Sequence, residues 1–95
     1  MTVYAVRYSY IDDTSRLAGI RPVHRAWLAE RLAAGDLLAS GPFADGLGAL
    51  LVFRAGSRES LGALVAQDPY QGGGVLAEVE VREWRQVFGP WTESA

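Results

Sequence analysis

Two hydrophobic periods alternate along this chain, and their order leaves few folds open. Thr2 to Tyr10 is rich in β-branched and aromatic residues and reads as a strand, closed by the polar run Asp12-Asp13-Thr14-Ser15. Pro22, tolerated in the first turn of a helix, and Gly35, where a C-terminal cap belongs, bracket a helix from about Arg21 to Ala34. Ser15 to Gly19 is available for an extra turn before it. Leu37 to Phe43 and Ala49 to Arg54 are apolar runs joined by Asp45-Gly46, a pair that tolerates positive φ, so they read as a hairpin. Ser57 caps a second helix through Leu61, Leu64 and Val65 that stops before Pro69. Gly72-Gly73-Gly74 reads as a connector. Val75, Ala77, Val79 and Val81 then alternate with Glu78, Glu80 and Arg82 as a fourth strand continuing toward Phe88.

Strand, helix, strand, strand, helix, strand is the split βαβ, or ferredoxin-like, unit: an α+β fold with a four-stranded antiparallel sheet and two helices on one face. One domain accounts for all 95 residues. With helices on one face only, the other should be polar if it met water. The two strands expected at the centre are instead apolar on both sides. The first has Tyr4, Val6 and Tyr8 against Val3 and Ala5, and the third has Leu50 and Val52 against Leu51 and Phe53. A second copy of the chain is the expected cover, so a homodimer is predicted, with the parity of the dimer face left open.

Composition removes several function classes. Nine basic and eleven acidic residues give a net charge of −2, with no basic stripe to neutralise phosphates, so no nucleic-acid partner is expected. No apolar run approaches the roughly 18 residues of a membrane span and no signal-type segment opens the chain, which points to the cytoplasm and no membrane partner. The absence of cysteine removes thiolate chemistry, and a single histidine makes a protein-only metal site improbable; neither a metal nor an organic cofactor is expected.

His24, Leu28 and Leu32 share one helical stripe, with Trp27 beside them, so the imidazole belongs to the buried side of its helix. Two readings of it stay open, a histidine satisfied by a backbone group or water and a functional one. Asp68, ahead of Pro69, sits poorly at the negative end of a helix dipole and otherwise reads as a turn-forming residue. Ser40-Gly41-Pro42 reads as a bend in the second strand. Arg7 and Arg21 are either carboxylate binders or ordinary solvent-facing arginines.

Taken together, Arg21-Pro22-x-His24, then Gly35-x-Leu37-Leu38-Ala39-Ser40-Gly41-Pro42, then Asp68-Pro69-Tyr70 followed by Gly74-Val75 resemble the YCII-related family of small dimeric α+β barrel proteins. Nearly the whole chain is covered. The resemblance implies a fold like that of muconolactone isomerase. It also implies kinship with enzymes that eliminate chloride from a chlorinated aromatic ring, alongside many members without an assigned activity. Glu83-Trp84 stands where the family often has Pro before the aromatic residue. The resemblance further implies that His24 and Asp68 are the active-site pair, with Arg21 and Ser40 orienting a substrate and Tyr70 and Trp84 walling its pocket. Such a pair suits isomerisation, elimination or a ring-forming step on a small polar aromatic or lactone. The alternatives are a dimeric small-molecule-binding or accessory protein without turnover, and a purely structural dimer. Topology alone would place His24 and Asp68 at opposite ends of the sheet; the resemblance is the reason to expect them within hydrogen-bond reach, near Ser40.

Overall fold

The computed structural model describes residues 1–92 and shows a βαββαβ core. Its elements are β1 (Thr2–Tyr10), α1 (Thr14–Ala34), β2 (Leu37–Pro42), β3 (Gly48–Ala55), α2 (Arg58–Val65), a one-turn α3 (Pro69–Gly72) and β4 (Leu76–Glu83). The strands run in the order β2-β3-β1-β4 and every pairing is antiparallel, so β1 and β3 are central, as their apolar content requires.

The register settles which side each strand residue takes. Tyr4 pairs with Phe53, Val6 with Leu51 and Tyr8 with Ala49, and these join Leu17 of α1, Leu61 and Val65 of α2 and Tyr70 of α3 in one buried cluster. The intervening pairs, Ala5 with Val52 and Arg7 with Leu50, face the open side. Tyr4 and Val6 therefore lie under the chain's own helices, and Ala5, Leu50 and Val52 belong to the opposite side, where Val52 is buried, Leu50 is exposed, and Trp84 and Trp91 border the same hollow. β1 and β3 approach so closely beside Tyr8 that a Cβ on Gly48 would run into the Tyr8 backbone carbonyl.

Three boundaries differ from those the sequence suggests. α1 is one continuous helix from Thr14, capped by Asp13, whose carboxylate accepts the Arg16 N–H at 3.0 Å; Pro22 sits inside it rather than at its start. Ala18 and Pro22 are both exposed, so water can satisfy the carbonyl that Pro22 leaves without a donor. α2 ends at Val65, and Asp68 opens α3 instead of closing α2. β4 stops at Glu83 and does not reach Phe88; its last pairing is followed by the Trp84 N–H donating to the Val3 carbonyl. No helix among the described residues is long and apolar enough to cross a membrane.

Candidate active site

One stripe of α1, made by Arg21, His24, Arg25, Leu28, Ala29 and Leu32, forms a wall of a cavity of about 620 Å³. Opposite it lie Leu37, Ser40 and Pro42 of β2 with Ala49 and Leu51 of β3, and Tyr10 and Tyr70 also contribute. The stripe explains an apparent conflict in the sequence. Leu32, expected in the core, is 58% exposed because its side of the helix borders the cavity rather than packed side chains.

His24 is buried near the middle of this 21-residue helix. Its Nδ1 lies 2.7 Å from Oδ1 of Asp68, a carboxylate that is itself wholly buried. The topological objection to this meeting fails on two details of chain path. Beginning the helix at Thr14 moves His24 inward from the end of the sheet. Ending α2 at Val65 lets the chain turn so that Asp68 caps α3.

A buried carboxylate is tolerated only when its lone pairs are engaged, and Asp68 accepts three hydrogen bonds. Oδ1 accepts from His24 Nδ1 and, at 2.9 Å, from the Tyr70 backbone N–H; Oδ2 accepts from the Tyr8 hydroxyl at 2.7 Å. Pro69 at the first helical position gives up no N–H that the turn needs. Burial, together with the negative charge and hydrogen bond of Asp68, holds the Tyr8 phenol far above its ordinary pKa, so it stays protonated and donates.

A carboxylate accepts only, so the hydrogen-bond network assigns the proton to Nδ1 and leaves Nε2 as the basic nitrogen. The Tyr70 ring stacks on the imidazole at 3.6 Å between centroids and 7° between planes, which fixes the ring's orientation. Among the described residues Nε2 has no protein partner. It is not among the occluded polar atoms that lack one, which are Trp27 Nε1, Arg31 Nε and Asp36 Oδ1, so it reaches the cavity. Among the described residues no three His, Asp or Glu side chains are placed to hold a metal ion.

The structure thus brings five of the six sequence-predicted site residues to one place: His24 and Asp68 in contact, Tyr70 on the imidazole, and Arg21 and Ser40 on the cavity wall. It does not bring Trp84. That side chain follows β4 on the open side of the sheet, edge-on to Trp91 with 6.4 Å between ring centroids, so it walls a different cavity. Tyr8, Tyr10 and Arg25 join the site without being marked by any motif in the sequence. Tyr8 did carry a signal, since a tyrosine on the core side of a central strand brings a hydroxyl that needs a buried partner.

The model of the YCII-related domain matches residues 1–85. The chain belongs to the YCII-related family. Among solved structures, this YCII-related chain is similar to 5-chloro-2-hydroxyhydroquinone dehydrochlorinase (TftG) from Burkholderia phenoliruptrix AC1100, in complex with 2,5-dihydroxybenzoquinone. The TM-score is 0.75 at 20% sequence identity, covering 86% of this chain and 92% of that one, a likeness that establishes the shared fold. No match is found among curated proteins.

Proposed function

We propose that this YCII-related protein is a cofactor-free lyase or isomerase of the cytoplasm that acts on a small polar ring compound, with His24 as the group that moves the proton. The observation that carries the reading is the Tyr8–Asp68–His24 chain of hydrogen bonds ending on a cavity. Asp68 fixes the imidazole tautomer and stabilises the imidazolium formed when Nε2 takes a proton. In an isomerisation that proton returns to another atom of the same substrate; in an elimination the leaving group departs with the bonding electrons. Ser40, which borders the cavity, orients the substrate, and Tyr70 holds the imidazole. The dehydrochlorination named for the structural neighbour is one instance of this chemistry.

We further propose that the sheet face away from the helices, where Leu50, Trp84 and Trp91 border an apolar hollow, pairs with a second copy of the chain. Leu50 is 40% exposed there, and Trp84 is exposed to the same degree.

Turnover is tested with chlorinated hydroxyhydroquinones and small unsaturated lactones, followed by chloride release and by proton NMR. The expected result is activity on at least one compound, lowered roughly a hundredfold or more in His24→Ala and lowered less in Asp68→Asn, which mis-sets the tautomer. Full activity in His24→Ala would overturn the assignment.

A further inference from the structure

The chain is acidic overall, yet the cavity is not. Arg21 and Arg25 line it, no Asp or Glu does, and the Asp68 carboxylate is enclosed behind His24 and Tyr8. Arg7 meets Glu78 and Glu80, Arg31 meets Asp36, Arg16 and Arg54 donate to the Gly73 and Gly35 carbonyls, and Arg58, Arg82 and Arg85 lie away from the cavity, so its wall is what sets Arg21 and Arg25 apart. Arg21 and Arg25 make no ion pair or hydrogen bond among the described residues.

The two guanidinium-bearing residues are four apart on α1, so they sit one turn from each other on the same face, with His24 on the stripe between them. Tyr10 joins them on the cavity wall. It is packed edge-on against Tyr70, and burial holds its phenol above the ordinary value, so the hydroxyl keeps its proton and can donate. Guanidinium groups take planar oxyanions through paired N–H donors, and a hydroxyl adds a third donor.

We propose that Arg21, Arg25 and the Tyr10 hydroxyl form an anion subsite on the wall of the His24 cavity, and that the compound bound there carries an acidic oxygen on a small planar ring. This rests on the proposed proton-transfer site, whose substrate class it narrows: one edge of the ring, carrying a carboxylate or an ionised phenol, is held by the arginines, and the reacting atom is presented to His24 Nε2.

Binding to the intact protein tests the subsite without requiring turnover. Matched probes are benzoate against benzamide, and 4-nitrophenolate against 4-nitroanisole, titrated calorimetrically. The wild-type protein is expected to prefer the anion of at least one pair by roughly tenfold or more, the scale of a charge-assisted contact. The preferred pair identifies the source of the charge. Arg21→Gln and Arg25→Gln should each reduce the preference several-fold, whereas Arg7→Gln, paired outside the cavity, should retain it. His24→Ala should also retain it while losing turnover, so failure of the proton-transfer reading is read separately from failure of the subsite. Absence of binding by every probe, equal binding within both pairs, or a preference that survives in the double Arg21→Gln/Arg25→Gln variant would overturn the proposal.

Discussion

The sheet carries a cavity on each side, of nearly equal size, about 620 Å³ under α1 and about 580 Å³ on the open face. Their walls differ. The first has His24, two arginines and two tyrosines; the second has Ala5, Ala39, Leu50, Val52, Trp84 and Trp91, with Ser40 as its polar side chain. Ser40, Gly41 and Phe43 border both, because β2 is the edge strand around which the two open. Volume therefore does not tell a reactive cavity from a sticky one. A titratable group held in one orientation by a buried network does, and an apolar hollow without such a group suits another apolar surface.

The largest effect that would separate the two sides comes from Asp68. In Asp68→Ala three buried donors lose their acceptor: the Tyr8 hydroxyl, His24 Nδ1 and the Tyr70 N–H. Breaking a buried charged network in this way destabilises by about 3–5 kcal/mol. Urea unfolding of the variant measures it, and a change below about 1 kcal/mol would mean that packing, not this network, orders the helix side of the sheet.

A smaller effect is expected from Tyr8→Phe, which keeps the ring in the core and removes one donor, at about 1–2 kcal/mol. It has a pH signature. The folded protein holds the Tyr8 phenol well above the ordinary value near 10, first through burial and then through Asp68. Above pH 10 the unfolded chain releases this proton while the folded one keeps it, so the unfolded state binds fewer protons and stability falls as pH rises. The contribution is complete below about pH 10 and is lost progressively above it. Melting temperature against pH should show this alkaline decline in the wild-type protein and a shallower one in Tyr8→Phe; identical slopes would remove Tyr8 from the network.

The two sides were also unequally legible in the sequence. The βαββαβ order and the central place of β1 and β3 follow from hydrophobic period, because alternation is a local property that each strand carries by itself. The His24–Asp68 contact depends on where helices begin and end. Pro22 looked like a helix start, but a proline whose missing N–H faces water is also compatible with a helix interior, as α1 shows from Thr14 onward. Asp68 looked like a helix end before a proline, yet Asp-Pro is equally a cap followed by a first helical residue, the role it has in α3. The family resemblance puts Trp84 on the His24 pocket, but the side it takes depends on a strand end that the alternating pattern does not fix. The parity of the open face required the register between β1 and β3, which no single strand encodes.

The smallest effect on the His24 side is expected from the residue most characteristic of the other. Leu50 lies on β3 opposite Arg7, its side chain 40% exposed and turned away from the helices. A lysine there can lay its aliphatic stem over the surface that Leu50 covers and keep its charge in water, so Leu50→Lys should leave the imidazole environment, read from the His24 ring resonances by NMR, unchanged. The folded subunit itself should change in stability by no more than about 0.5 kcal/mol. At an interface between two copies the same change would place charges where apolar surfaces are meant to meet, and burying an unpaired ammonium is far more costly than exposing a leucine. Sedimentation at micromolar concentration should accordingly give two subunits for the wild-type protein and one for Leu50→Lys. A wild-type monomer would remove the open face as a self-association surface, and a variant that remains a dimer with an altered His24 resonance would show that the two sides of the sheet are coupled through β2 rather than independent.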